Sequence, residues 1–230
     1  MMDATAIIPV KRFGDAKQRL LAALDRPQRA ALVKAMLADV LDAVTEASRV
    51  ERVIVVTSEG RAQRIALRHS QRVPTPLEVL QEPGDRGHPE AATLGIIRAK
   101  ALGAGCVALL PGDCPLLEAG ELDAALDRMH PGRVVVVPDR HGSGTNALLL
   151  SPPDAIGPAF GPGSRARHAG RGQRAGHEVA VEPLSSLALD VDTPEDLEAM
   201  AAVVEAEPAL APATAAELGR IGSHAGGTRR

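Results

Sequence analysis

The chain has 230 residues, 45% of them apolar and 24% charged, with a formal net charge of −3. Such a composition suits a globular domain with one sizeable core, and it offers no electrostatic case for binding nucleic acid or a membrane surface. Trp and Tyr are absent, and only Phe13 and Phe160 supply large aromatic rings, which argues against base-stacking platforms. The core must therefore be built from Leu, Val, Ile and Ala. Both Phe residues fall in glycine-containing loops, an unusual place for core residues.

Cys106 and Cys114 make neither a disulfide framework nor a metal-ligand spacing, so they read as reduced thiols of a cytoplasmic protein. The N-terminus lacks a signal-peptide pattern, because Asp3 interrupts it and Lys11-Arg12 follows a short apolar run. No apolar run approaches the ~20 residues of a membrane span. The seven His are scattered and are assigned by default to surface or loops.

In chain order, Ala4 to Val10 reads as a buried strand. Lys11, Arg12, Lys17 and Arg19 follow in a basic loop with Gly14 in its middle. Cations and backbone N–H groups just past a strand end suit a polyanion, although a solvated basic turn has the same composition. Pro27 to Ser48 repeats Leu32, Met36, Leu37, Val40, Leu41 and Val44 at helical spacing. Arg52 to Thr57 is a second buried strand, followed by a helix to about His69. Leu77 to Gln81 is a third strand, and about Pro89 to Ala101 a further helix.

Cys106 to Leu110 is again strand-like and ends at Pro111-Gly112. Asp113 is thereby held at the carboxyl end of a buried strand, ahead of a helix from Glu118 to Met129. Arg133 to Val137 and Asn146 to Ser151 are strands, and Glu178 to Val181 and Leu187 to Val191 read as edge pieces. Strands alternate with helices as far as Met129, so the expected fold class is α/β, three layers around a mostly parallel central sheet. One domain is expected over residues 1–206. Pro, Ala, Gly, Thr and Arg dominate residues 207–230, which read as a loose, disordered tail.

In open α/β sheets ligands bind at the carboxyl edge of the strands, and Asp113 sits there, although an Asp also caps turns. Three further loops carry polar groups to strand ends. Gln81 to Glu90, with Asp85 and Gly87, could hold a base or ribose, or could be a polar turn. Pro138 to Asn146 has glycines that let backbone approach a ligand, with Thr145 and Asn146 as polar contacts. It pairs with Phe160 to His168, where Gly161 precedes Ser164 as the expected N-cap of a short helix whose free N–H groups would attract an anion.

Asp190 to Leu197 is the third. Period-two alternation places Asp190 and Asp192 on one face of a strand end. Asp192 can also be explained as a helix N-cap before Pro194, whereas Asp190 cannot. Two carboxylates facing Asp113 would bind Mg²⁺.

Taken together, five strings resemble, in order, the 2-phospho-L-lactate and phosphoenolpyruvate guanylyltransferases of coenzyme F420 biosynthesis. They are Ile8-Pro9-Val10-Lys11-Arg12 with Ala16-Lys17-Gln18-Arg19-Leu20, the run Leu110 to Leu117, Pro138-Asp139-Arg140 with Gly144 to Leu148, Phe160 to His168, and Asp190 to Leu197. The resemblance implies the Rossmann-like nucleotidyltransferase fold. It implies transfer of GMP from GTP to the phosphate of a three-carbon acid (phosphoenolpyruvate, 2-phospho-L-lactate or 3-phospho-D-glycerate), with loss of pyrophosphate.

By the same resemblance, Asp113, Asp190 and Asp192 would hold Mg²⁺, and Lys11, Arg12, Lys17 and Arg19 the triphosphate. Asp113, Lys17 and Arg19 would act in catalysis, with Asp85 and Gly87 also on the nucleotide. Thr145, Gly161 and Ser164 would bind the acid, and the product would pass to the next transferase of the pathway. The oligomeric state stays open, a homodimer being one option. Other enzymes of the fold, such as a molybdenum-cofactor nucleotidyltransferase, and a nucleotide-binding module without catalysis are the competing readings. One departure stands out: Gly87-His88-Pro89 replaces the family's Gly-Leu-Asn run. Pro89 has neither a polar side chain nor an N–H, so looser base selection is expected, with His88 as a substitute donor.

Overall fold

The computed structural model of the chain describes residues 3–13, 17–83 and 87–226. Seven strands form one sheet in the order β3-β2-β1-β4-β6-β5-β7. They are β1 Ala4–Val10, β2 Val50–Thr57, β3 Leu77–Gln81, β4 Val107–Leu109, β5 Arg133–Pro138, β6 Thr145–Leu150 and β7 Glu178–Val181. Neighbours run parallel except around β6, which is antiparallel to both β4 and β5.

Both faces of the sheet are covered, which is why its central strands are almost wholly apolar. Ala4, Ala6, Ile8 and Val10 of β1 join one core with α1 (Arg26–Glu46), α2 (Gly60–Ser70), α4 (Ala119–Asp127) and α6 (Pro194–Ala206). Ile7 faces the other way, into a second core with α3 (His88–Ala101). The helix α5 (Ser164–Arg174) lies on that second face, where a Cβ on Gly172 would stand 2.6 Å from Val179 Cγ2. Capping is local and legible: Asp25 accepts from Gln28 N–H at the start of α1 and Gln28 returns the bond. No helix among the described residues is long and apolar enough to cross a membrane.

The tail expectation is corrected. Pro212–Gly226 is a helix, α7, packed against α1 and α6. Its start is fixed by Asp39 of α1, a buried carboxylate that accepts from Ala213 N–H (2.9 Å), Thr214 N–H (2.8 Å) and Thr214 Oγ1–H (2.6 Å). Thr214 is buried, and Ala211, Ala215, Leu218 and Ile221 join the first core. Average composition hid this, because the apolar positions recur at helical spacing within a segment rich in small residues.

Other expectations also change. Leu187–Val191 is not a strand: a short 3-10 turn at Ser185–Leu187 leads into irregular chain. Phe13 is buried, its N–H on Glu59 Oε2 (3.1 Å) and the Arg61 guanidinium 5.4 Å from its ring centroid. His69 and His168 are buried rather than superficial. Cys106 and Cys114 are free thiols, as read.

Candidate active site

The chain leaves β1 toward β2 and β3 on one side and returns to β4 on the other, so the sheet's switch point lies between β1 and β4. There the loops after the two strands diverge and open a crevice. On β1, β4 pairs only with Thr5, Ala6 and Ile7, so among the described residues the rim of β1 beyond Ile7 has no strand partner on that side. Pro9 lies in this unpaired stretch, where its missing N–H costs no ladder bond. Across the gap, Leu110 N–H closes on Ile7 O (2.9 Å) and Pro111-Gly112 turns the chain so that Asp113 faces the crevice.

A cavity of about 650 Å³ occupies this crevice. Lys11 and Arg19 border it from the first loop, Gly87, His88 and Pro89 from the start of α3, and Pro111 and Asp113 from the loop after β4. Its far wall is Asp139, Ser143 to Asn146, Phe160 to Pro162 and Ser164, with Asp190 and Asp192 along the base. A second cavity of about 240 Å³ shares Lys11, His88, Pro111, Asp113 and Asp192 and runs beneath the first loop to Pro9 and Lys17.

One half of the site is ionic. Lys17, whose side chain is 5% exposed, bridges Asp113 Oδ2 (2.5 Å) and Asp192 Oδ1 (2.7 Å) through Nζ. Burial alone would lower the ammonium's pKa, but the two carboxylates outweigh it and hold it above its ordinary value. Burial likewise opposes ionisation of Asp113, and Lys17 overrides it, so that carboxyl lies below its usual range. Asp190 makes no ion pair among the described residues: burial, then repulsion from Asp113 and Asp192, push its pKa up against a smaller pull from Lys17. Asn146 Nδ2 holds the segment carrying Asp190, donating to Leu187 O (2.7 Å), to Ala188 O (3.4 Å) and, weakly, to Asp190 Oδ1 (3.5 Å).

The other half is built on glycine turns, and Asp139 is its one charged lining residue among those described. Asp139 Oδ1 accepts from Ser143 N–H (2.9 Å), and a Cβ on Gly144 would meet Asp139 Oδ2 at 2.5 Å, so any side chain there would have to displace that carboxylate. Gly163 precedes α5 with φ 70°, a left-handed conformation that favours glycine. Arg167 gathers the carbonyls of this turn, donating to Ala159 O (2.9 Å), Gly161 O (3.3 Å) and Pro162 O. Ser164 Oγ is buried and has no hydrogen-bond partner among the described residues. Thr145 Oγ1 lies 3.0 Å from His168 Nδ1. The Phe160 ring stands edge-on between His88 (4.7 Å) and His168 (5.2 Å).

Most of the residues singled out from sequence therefore meet in one place: Lys11, Arg19, Gly87, Asp113, Thr145, Gly161, Ser164, Asp190 and Asp192 border the larger cavity, and Lys17 the smaller. Arg12 is exposed and borders neither. Asp85 lies outside the described residues.

Three local assignments are revised. Ser164 is the first residue of α5, not its N-cap, and its N–H is taken by Gly161 O and that of Arg165 by Ser143 O. The first two amides of the helix are thus used, and Ser164 offers its Oγ. The cap of α6 is Thr193, not Asp192: Thr193 and Asp196 form a reciprocal capping box, leaving the Asp192 side chain for Lys17. Asp190 and Asp192 reach the site from irregular chain, not from one face of a strand.

His168 takes a place in the site that its default assignment to surface or loops did not give it, and His88, expected only as a substitute donor, lines both cavities. His168 falls four positions after Ser164, hence on the same helix face, a signal that was present. His88 is half-buried beside Phe160, and its buried Nδ1 has no partner among the described residues; desolvation, then the Lys11 charge, lower its pKa to about 4.

The fold is that of the nucleotidyltransferases. The chain superimposes on a nucleotidyl transferase from Methanothermobacter with a TM-score of 0.61 at 16% identity, over 86% of this chain and 95% of the other. A protein from Desulfovibrio desulfuricans G20 aligns with a TM-score of 0.74 at 19% identity, over 97% and 96%. Within that class, residues 4–205 match the family described as guanylyl transferase CofC like, and the chain belongs to that family of enzymes. It is 44% identical to the phosphoenolpyruvate guanylyltransferase of Conexibacter woesei over 86% of this chain and 87% of the relative. It is 37% identical to the 3-phospho-D-glycerate guanylyltransferase of Phenylobacterium zucineum, over 84% and 87%.

Proposed function

We propose that this enzyme transfers GMP from GTP to the phosphate of a three-carbon phospho-acid in coenzyme F420 biosynthesis, releasing pyrophosphate. The observation that carries the reading is one cavity with two chemically distinct halves, ionic under the first loop and neutral at Thr145 and Ser164. Relatives named for phosphoenolpyruvate and 3-phospho-D-glycerate support the substrate class. The reaction would run in the cytoplasm, and its product would pass to a transferase that consumes the activated acid.

An ionised phosphate oxygen of the acid attacks the α-phosphorus and the bond to the leaving pyrophosphate breaks, so no general base is needed. Both reactants are anions, and the chain's work is alignment and charge compensation. Lys11 and Arg19 would face the phosphates; Thr145, Ser164 and the Gly161 turn would hold the acid.

Mg²⁺ suits the donor chemistry, since Asp113, Asp190 and Asp192 are oxygen ligands that together exceed the single Lys17 charge beside them. Among the described residues no three such groups converge at metal-ligand spacing, so occupancy would require the Lys17 ammonium to yield its place. When bound, the ion would polarise the α-phosphate and neutralise the leaving group. Calorimetric Mg²⁺ binding that Asp190→Asn leaves unchanged would remove Asp190 from the ligand set.

The decisive experiment is pyrophosphate release with phosphoenolpyruvate, 2-phospho-L-lactate and 3-phospho-D-glycerate, each against four nucleotides. GTP with one of the acids should give turnover. Silence with every acid would overturn the reading. Looser base selection is also expected because of His88-Pro89: kcat/KM for ATP or CTP should lie within about a hundredfold of that for GTP, and Pro89→Asn should widen the gap roughly tenfold. A wild-type preference of several hundredfold that Pro89→Asn leaves unmoved would place selection elsewhere.

A further inference from the structure

His168 is fully buried, and both of its ring nitrogens are engaged. Ala159 N–H donates to Nε2 at 2.8 Å. A backbone amide can only donate, so Nε2 must carry a lone pair and the proton of the neutral ring must sit on Nδ1. Nδ1–H then donates to Thr145 Oγ1 at 3.0 Å, and the hydroxyl is the acceptor of that bond. A ring flip would put carbon against both partners, so the orientation is fixed as well.

The consequence falls on Thr145. Its oxygen accepts from within the protein and makes no other hydrogen bond among the described residues, while the residue borders the cavity. We infer that His168 is a positioning residue, locked as the Nδ1–H tautomer by the Ala159 amide, which makes the Thr145 hydroxyl a donor aimed at an anionic oxygen of the substrate. A free threonine hydroxyl can donate or accept, and hydrating water can turn it either way. Because Nδ1–H cannot accept, the hydroxyl proton is not spent on the ring and is left to donate into the cavity, which suits a carboxylate or phosphate.

The arrangement also excludes the imidazolium. A protonated Nε2 would confront the Ala159 N–H, and burial, then Arg171 and Arg167 nearby, lower the His168 pKa to about 4. Arg167 donates to Ala159 O (2.9 Å), so the residue that sets the tautomer is itself held at its other end. His168 thus links the Gly161 turn to β6 and passes the orientation on to the hydroxyl. The inference rests on the phospho-acid reading only for the identity of the anion.

The test has two arms. In ¹⁵N-labelled full-length protein at pH 7, long-range ¹H–¹⁵N correlations of the His168 ring, assigned by its loss in His168→Gln, should show protonated Nδ1 and bare Nε2. That ring should remain neutral until the pH approaches about 4. An Nε2–H ring or an imidazolium at pH 7 overturns the inference whatever the turnover, and absence of turnover with every acid would sink only the proposed function.

The second arm is kinetic. His168→Asn can keep a donor near the Nδ1 position, whereas His168→Gln can reach Ala159 N–H with an acceptor but loses the donor to Thr145. The KM for the acid should rise roughly tenfold in His168→Gln and in Thr145→Val, less in His168→Asn, with the KM for GTP unmoved. His168→Gln added to Thr145→Val should cost nothing further. Full additivity, or equal KM values for the Asn and Gln variants, would show that His168 acts on the fold and not through Thr145.

Discussion

The two halves of the cavity meet at the same crevice and solve the handling of anions differently. Around Asp113 and Asp192 the chain places full charges and cross-links them through Lys17. Around Thr145 and Ser164 it places neutral groups, orients one through His168 and leaves the other without a partner among the described residues. An ionic half depends on its counterions, so removing one group leaves the others in repulsion. A neutral half depends on preorganised donors, so removing one group costs about one hydrogen bond. The difference predicts large, coupled effects on one side and small, separable effects on the other.

The sharpest way to break this contrast is Asp113→Asn. It should lower kcat on the order of 10²-fold or more while the chain stays folded, and a thermal melt alongside the assay distinguishes the two. Near-normal turnover would reduce Asp113 to a turn residue and dissolve the ionic half. Next in size is a deletion remote from both halves. Truncation after Glu205 strips the cap donors from buried Asp39 and bares the α1 surface under α7. Stability should fall by roughly 2–4 kcal/mol in urea melts, with the ratio of the two substrates' KM values unchanged. A shift in that ratio would mean that α7 tunes the site.

On the neutral side, Ser164→Ala should raise the KM for the acid by about tenfold and leave that for GTP in place. The opposite pattern would exchange the pocket assignments. The smallest effect separates binding from capping at Asp192. Thr193→Ala should cost about 1 kcal/mol of stability through the lost cap, and Asp192→Asn should cost activity without that loss. Equal destabilisation by both would return Asp192 to a capping role.

What the sequence determined by itself follows from local periodicity and local chemistry. Continuous apolar runs such as Ala4–Val10 and Arg133–Pro138 could only be strands covered on both faces. Pro111-Gly112 ahead of Asp113 announced a carboxylate at a strand end, and the ordered strings identified the family that the match over residues 4–205 shows. What only tertiary structure decided involves partners far apart in the chain. Lys17 is separated by 96 and 175 positions from the two acids it bridges, so nothing in its basic loop marks it as a counterion to carboxylates rather than phosphates.

Asp39 lies 174 positions before the helix it caps, and without that cap the residues after Glu207 read as solvated chain. The same holds for Thr145, whose role turns on a ring 23 residues away and on the amide that dictates where its proton sits. Periodicity reports which face of an element is buried. Pairing of charges, caps and tautomers depends on which groups the packed elements bring within hydrogen-bond reach, and that is set by the sheet order and not by sequence spacing.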